Sequence, residues 1–358
     1  MDTSHRGNGL PAAGAGPPTG IQSSSPSSSR PVLFRTPVPR ASTVFARAPE
    51  NPILAPTPLW WESVAVFNPG VVQDAEGIIH LLYRATGRDG ISRLGYAQTR
   101  DGVTIKARSR EPVFEPEFGN ELETFGVEDP RIVFLDGTYY VTYTAASQYR
   151  IDDPHPELVP PQEQPWGAGE PWRVRISLAL TKDFRSFTRH GVILPDVDNK
   201  DGVLFPERVD GQYVLLHRLP PDIWIAYSTD LRDWRGHRAV LRTRPAYWDE
   251  QKLGAGAPPL CIDEGWLLLY HGSDHHNVYR AGFVLLDGRD PSRVLGRSEA
   301  PALEPLEPYE VGGRVPRVVF PTGVVRRGDT ILMYYGAADT VVGVARASLK
   351  NVLSSLRS

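Results

Sequence analysis

The sequence has little cysteine, little net charge and no long apolar run. Its one cysteine, Cys261, cannot form an internal disulfide, which fits a reducing compartment, and we predict a cytoplasmic protein. The net charge of −3 gives no overall field that would attract nucleic acid or an anionic membrane. No apolar run approaches the roughly 20 residues that cross a bilayer. Nucleic-acid and membrane partners are therefore excluded from the predicted function.

The first 30 residues are mostly Ser, Pro, Gly and Ala, and they contain no apolar segment of the kind found in secretion signals. A segment of this composition cannot bury a core. We predict a disordered tail over residues 1–40 and a single catalytic domain over residues 41–358. The chain has 358 residues, which is long enough for one large β domain.

A repeated strand pair dominates the rest of the chain. Each copy has a glycine-led turn, an apolar and aromatic strand, and a second strand. The five copies start at Gly77, Gly137, Gly211, Gly265 and Gly328. Their spacing of roughly 50–75 residues is typical of propeller blades, whereas a β-sandwich would not explain five similar hairpins. The pattern predicts an all-β, five-bladed β-propeller, with a helical period only over Ala347–Leu356.

The stretch Gly126–Ile132 places two adjacent carboxylates, Glu128 and Asp129, before Pro130 and Arg131. A residue that precedes proline is pushed towards an extended conformation. We therefore expect an extended Asp129, held just before a strand at the mouth of the β structure. A turn in which Asp129 pairs with Arg131 is the alternative reading.

Charged residues also end several strands of the repeat, where equivalent strand ends of a propeller converge. Lys200, Arg218, Lys252 and His271 would then form one cationic cluster, which needs an anion. Phosphate suits guanidinium and ammonium donors best. The alternative is that each is a solvated or salt-bridged surface charge. Two further features are a long, Pro-rich connection over Ala146–Trp172 and the pair Trp60-Trp61, which either stacks on a sugar or belongs to the core.

Several motifs, taken in order, resemble glycoside hydrolase family 130, the β-mannoside phosphorylases and related mannosidases. The resemblance covers about residues 48–348. It rests on Asn51–Leu54, Phe67–Gly70, Leu82–Ala85, Gly126–Ile132, Asn199–Asp201, His217-Arg218, Lys252–Gly256, Tyr270–Gly272, Val318–Gly323 and Tyr334–Asp339. The family has a five-bladed propeller. The resemblance implies that Asp129 is the catalytic acid, that Asn68, Arg84 and Asp339 hold the mannose, and that Lys200, Arg218, Lys252, His271 and Tyr279 bind phosphate.

The predicted reaction is the reversible phosphorolysis of β-mannosides with inversion, which gives α-D-mannose 1-phosphate. Phosphate is a co-substrate, and no cofactor or metal is expected. One rival is an inverting hydrolase, which requires a base, with Glu121, Glu123 and Glu207 as candidates. The other is a non-catalytic sugar-binding propeller. The linkage (β-1,4 or β-1,2) and the acceptor sugar stay open, and the sequence is compatible with a homo-oligomer.

Overall fold

The computed structural model describes residues 44–149 and 172–356. The tail predicted over residues 1–40 lies outside the described residues, as does most of the connection predicted over Ala146–Trp172, and both interpretations stay predictions. At the two ends of that connection, one strand continues to Gln148 and the next begins at Trp172.

The described residues form five antiparallel blades, four of them built from strands that are consecutive in the sequence. The first strand of the described residues is β1 (Ala46–Arg47). Blade I contains β2 (Ala65–Gln73), β3 (Ile79–Thr86), β4 (Ser92–Thr99) and β5 (Ile105–Arg108). Blade II contains β6 (Gly126–Leu135), β7 (Thr138–Gln148), β8 (Trp172–Thr181) and β9 (Phe187–Val192). Blade III contains β10 (Lys200–Leu204), β11 (Tyr213–Leu219), β12 (Asp222–Ser228) and β13 (Arg235–Leu241).

In blade IV, β14 (Lys252–Ala255) and β15 (Leu260–Ile262) share the first position and both pair with the next strand. The blade continues with β16 (Gly265–Ser273), β17 (Tyr279–Leu286) and β18 (Val294–Arg297). The short helix α1 (Pro308–Val311) leads into blade V, which contains β19 (Val319–Arg327), β20 (Thr330–Ala337) and β21 (Val341–Ser348). The helix α2 (Leu349–Leu356) follows, as its period predicted. No helix within residues 44–149 and 172–356 is long and apolar enough to span a bilayer.

The prediction of a five-bladed β-propeller is confirmed. Each predicted strand pair is the second and third strand of a blade, from β3–β4 in blade I to β20–β21 in blade V. Type I′ turns fix the register of two hairpins, because Asp136-Gly137 and Asp210-Gly211 all have positive φ. Apolar clusters between neighbouring blades form the core, including one around Phe283 and Met333 between blades IV and V.

The N-terminal strand completes the last blade. Ala46 and Arg47 of β1 pair with Arg346 and Ala345 of β21, so the outermost strand of blade V comes from the start of the described chain. This pairing closes the ring, because the two ends of the propeller then share one sheet. The sequence repeat did not predict β1, since two residues are too few to carry a strand pattern.

Four of the five blades share a buried ionic arrangement, named here the acid–Tyr–Arg cluster. A carboxylate that precedes the first strand accepts hydrogen bonds from a tyrosine on the second strand and an arginine on the fourth, at 2.5–3.0 Å. The clusters are Glu62–Tyr83–Arg108, Glu123–Tyr143–Arg189, Asp249–Tyr270–Arg297 and Glu310–Tyr335–Arg47. The four carboxylates are 0–1% exposed, so each needs its arginine as a counter-charge.

Arg47→Ala should destabilise the propeller by about 3–5 kcal/mol, the usual penalty for leaving a buried charge without its partner. Glu310 would lose both guanidinium hydrogen bonds, and β1 would lose its side-chain attachment to α1. Denaturant unfolding measures the change. Arg235→Ala is the control, because its ion pair with Asp233 is largely exposed and should contribute less than about 1 kcal/mol. Equal stability of the two variants would contradict this account of the ring closure.

Candidate active site

Equivalent strand positions supply the charged side chains at the centre of the ring. The first strands of neighbouring blades contact one another there. On each second strand, the residue after the cluster tyrosine (after His217 in blade III) points to the opposite face of the strand. In blade order these residues are Arg84, Thr144, Arg218, His271 and Gly336. Three of them are residues that the sequence analysis assigned to the site.

The first strands of blades I, II and III each contain a β-bulge with one residue in the left-handed conformation. These residues are Asn68 (φ 46°), Asp129 (φ 47°) and Asp201 (φ 55°). The strand register shifts at all three positions. A bulge re-aims the side chain that it carries, and such bulges are frequent beside active sites. The same backbone feature, a β-bulge in the first strand, therefore positions all three polar side chains.

The expected backbone of Asp129 was wrong. Asp129 lies inside β6 rather than before it, and its φ of 47° is left-handed rather than extended. The bulge outweighs the bias of Pro130, and Asp is among the residues that tolerate this conformation best. The alternative prediction, a pairing of the Asp129 and Arg131 side chains, is also absent from the described residues. Arg131 Nη1 instead donates to the main-chain oxygen of Asp129 at 2.7 Å.

The residues assigned to the mannose and to proton donation form one group. Asn68 Nδ2 donates to Asp129 Oδ1 at 2.8 Å, and Arg84 Nη1 lies 3.3 Å from the same oxygen. Arg84 Nη2 donates to Glu128 Oε1 at 2.6 Å, so one guanidinium holds both adjacent carboxylates. A Cβ at position 336 would lie 1.9 Å from Asn68 Oδ1, which explains the glycine there.

Two carboxylates of this group have pKa values displaced in opposite directions. Burial alone would raise the pKa of Asp129, but Arg84, Lys200, Arg131 and the hydrogen bond from Asn68 hold it below its usual value. Burial raises the pKa of Asp339 to about 6; Arg84 opposes this rise, and the Asp129 charge adds to it. Asp129 is therefore ionised in the free protein, and it needs additional negative charge nearby before it can hold a proton at neutral pH.

The residues assigned to phosphate lie on blades III and IV. Lys200 and Arg218 are cross-strand partners at the ends of β10 and β11. Lys252 Nζ lies 5.3 Å from the ring centre of Tyr279, and the Tyr279 ring lies 6.2 Å from that of His271. Lys200 also acts to lower the pKa of both Asp129 and Asp339. The residues assigned to phosphate (the anion group) therefore border Asn68, Arg84, Asp129 and Asp339 (the mannose group).

The sequence analysis gave no role to Asp201, a buried carboxylate within the anion group. Asp201 Oδ2 lies 3.1 Å from Arg218 Nη1 and 3.5 Å from His271 Nε2. Although burial would raise the pKa of Asp201, Arg218 and His271 hold it well below its usual range. A Cβ at Gly254 would lie 2.4 Å from Asp201 Oδ2, so the close contact of blades III and IV requires glycine there. The sequence signal that could have identified Asp201 was its position in the repeat, which is equivalent to that of Asp129.

A second residue of the site that the sequence did not reveal is Arg314, a cation in the loop before β19. Desolvation and the charge of Arg84 lower the pKa of Arg314, whereas Asp339 and Glu128 oppose the shift. The charge of Arg314 therefore interacts with those of Arg84, Asp339 and Glu128. The loop carries no periodic pattern, so no signal in a single sequence identifies this residue.

The two adjacent tryptophans have different environments. Trp61 is buried against Tyr83, and Trp60 is 54% exposed beneath the Arg93 guanidinium.

The fold and the site define a five-bladed propeller whose centre combines a hydrogen-bonded carboxylate with a group of cations. Within the described ranges, no group of three or more His, Cys, Asp or Glu residues is arranged to hold a metal ion. The family model described as beta-1,4-mannooligosaccharide phosphorylase matches residues 47–153 and 166–358. The chain belongs to glycoside hydrolase family 130, as its motifs predicted.

Named relatives cover most of the chain. A 1,2-beta-oligomannan phosphorylase from Thermoanaerobacter sp. (strain X514) is 43% identical over 86% of this chain and 98% of its own length. A beta-1,2-mannobiose phosphorylase from the same organism is 38% identical over 84% of this chain and 96% of its own length. The solved structure of the beta-1,2-mannobiose phosphorylase from Listeria innocua, in complex with beta-1,2-mannobiose, is 30% identical, covers 87% of this chain and 99% of that chain, and has a TM-score of 0.74.

Proposed function

We propose that this chain is an inverting phosphorylase that transfers the mannosyl group of a β-mannoside to inorganic phosphate. The products are α-D-mannose 1-phosphate and a shortened acceptor, and the reaction is reversible. One observation carries the proposal: the buried carboxylate of Asp129 borders, through Lys200, the group of cations on blades III and IV. A phosphorylase needs this combination of an acid and an anion site.

The residues take the following roles. Asn68, Arg84 and Asp339 hold the mannose, and Asp129 protonates the leaving group. Lys200, Arg218, Lys252, His271 and Tyr279 hold phosphate so that an oxygen attacks C1 from the face opposite the leaving group. Bound phosphate brings negative charge beside Lys200, which weakens the effect of that lysine on Asp129 and raises the pKa of the acid. The co-substrate thus helps Asp129 to take up the proton that it donates.

The positions of the candidate bases argue against the hydrolase. An inverting hydrolase needs a base that activates water at about 6.5–9.5 Å from the acid. Glu123 is 1% exposed and is bound to Tyr143 and Arg189, whereas Glu121 is an exposed loop residue. Glu207 is exposed and follows the C-terminal end of β10, whereas Lys200 lies at the N-terminal end of that strand. Asp339 is a second carboxylate beside Asp129, and we assign it to the mannose hydroxyls.

We further propose that the linkage is β-1,2. The two Thermoanaerobacter relatives and the Listeria structure carry names with this linkage, whereas the family model is described by β-1,4-linked substrates. Incubation of the protein with α-mannose 1-phosphate and a panel of acceptors, with the products analysed by NMR, tests the assignment. We expect β-1,2-linked products. Products with β-1,4 linkages alone would overturn the linkage and leave the phosphorylase proposal intact.

A further inference from the structure

Blade III is the one described blade that lacks the acid–Tyr–Arg cluster, and it is also the blade that supplies Lys200, Asp201 and Arg218. In place of the cluster it carries Asn199 directly before the first strand, His217 on the second strand and His237 on the fourth. His217 directly precedes Arg218, as Tyr83 precedes Arg84 and Tyr270 precedes His271. Blade III thus has an amide and two imidazoles where the other blades have a carboxylate, a phenol and a guanidinium.

The three side chains form a single directed chain of hydrogen bonds. Asn199 Nδ2 lies 2.9 Å from His217 Nδ1, and His217 Nε2 lies 3.1 Å from His237 Nδ1. His237 Nε2 lies 3.2 Å from the main-chain oxygen of Trp234. An amide nitrogen only donates, so His217 Nδ1 accepts, His217 Nε2 donates to His237, and His237 Nε2 donates to Trp234. Each hydrogen bond in the chain then has one donor and one acceptor.

Asn199 connects this chain to the anion group. Its Oδ1 accepts a hydrogen bond from the main-chain N–H of Arg218 at 3.0 Å, and the side chain is buried. Lys200 and Asp201 follow Asn199 directly in the sequence, and Lys200 is the cross-strand partner of Arg218. The orientation of one amide therefore fixes the strand ends that carry two cations of the site. Burial and the neighbouring His237 lower the pKa of His217 to about 3, which keeps His217 neutral at working pH.

We infer that Asn199, His217 and His237 are positioning residues for the anion site, an amide and imidazole counterpart of the blade cluster that orders Lys200 and Arg218. A carboxylate in place of the Asn199 amide would stand beside the site and repel the anionic co-substrate. This inference rests on the proposed function, since it assumes that blades III and IV bind phosphate.

Two substitutions separate the charge from the positioning. Asn199→Asp keeps the shape but adds a negative charge, and it should raise the Michaelis constant for phosphate about tenfold or more. His217→Phe removes the acceptor of the Asn199 amide, and it should raise the same constant about two- to tenfold. The turnover number should change less, and the Michaelis constant for the mannoside at saturating phosphate should stay unchanged. His217→Gln, which offers a carbonyl acceptor to the amide, should recover part of the loss.

The matched control is Tyr143→Phe, which removes the same kind of hydrogen bond from the cluster of blade II. It should lower the melting temperature and leave the Michaelis constant for phosphate unchanged. If His217→Phe and Tyr143→Phe both change only the melting temperature, or if Asn199→Asp binds phosphate normally, the inference is wrong. Calorimetric titration with inorganic phosphate measures the site without turnover. Tight phosphate binding without phosphorolysis would overturn the proposed reaction alone, whereas absent binding would overturn both.

Discussion

Asp129→Asn should reduce phosphorolysis of an unactivated β-mannoside by about 10²–10⁴-fold, with the fold intact. Asparagine keeps the size of the side chain, but it cannot donate a proton as a carboxylic acid does, and general acid–base catalysis typically contributes this factor. Asparagine also tolerates the left-handed conformation of residue 129, so the bulge should survive. Initial rates at saturating phosphate, together with a melting curve, give the result.

Two controls make this test specific. Asp136→Asn changes an exposed aspartate in the turn of the same blade, also at positive φ, and it should leave the rate unchanged. An aryl mannoside whose leaving group is a weak base needs little proton donation, so Asp129→Asn should lose much less activity on that substrate. Near-normal activity of Asp129→Asn on the unactivated mannoside would remove Asp129 from the role of acid.

Arg218→Ala should raise the Michaelis constant for phosphate by about 10–150-fold. This factor corresponds to about 1.5–3 kcal/mol, the typical contribution of a hydrogen bond to a charged group. The variant also leaves Asp201 without the guanidinium that lies 3.1 Å away, so a buried negative charge would face the incoming anion. The turnover number should fall as well, because the lost contacts orient the attacking oxygen. Initial rates over a range of phosphate concentrations measure both effects.

Synthesis from α-mannose 1-phosphate should decline in parallel, because the reverse reaction crosses the same transition state. Apparent affinity for free mannose should change little. Arg208→Ala is the control in the same blade, since Arg208 pairs with the exposed Asp136 and lies at the far end of the hairpin. An unchanged Michaelis constant for phosphate in Arg218→Ala would place the anion site elsewhere.

The sequence predicted those parts of the fold that bury apolar residues on both faces of a strand. The second and third strands of each blade are long, apolar and led by a glycine turn, so all five hairpins were recognisable. The fourth strands were missed because they are short and polar: β5 reads Ile-Lys-Ala-Arg, and β13 begins Arg-Gly-His-Arg. Such strands are stabilised by pairing and by ionic clusters rather than by an apolar pattern.

The residues of the site could be named from motifs, but their geometry could not. The left-handed bulges at Asn68, Asp129 and Asp201 depend on contacts between blades, and a proline after Asp129 pointed to the opposite conformation. The place of Asp201 between Arg218 and His271 is a long-range contact of blades III and IV. Local propensity contains no information about either feature, so both required the assembled ring.

The most direct test of the proposed function is the product of mannobiose cleavage with and without inorganic phosphate. The account predicts that turnover requires phosphate and that mannose 1-phosphate forms in an amount equal to the mannose released from the acceptor side. An inverting hydrolase would cleave mannobiose without phosphate, and added phosphate would compete or have no effect. Free mannose as the sole product at saturating phosphate would contradict the assignment of the cationic group to the nucleophile.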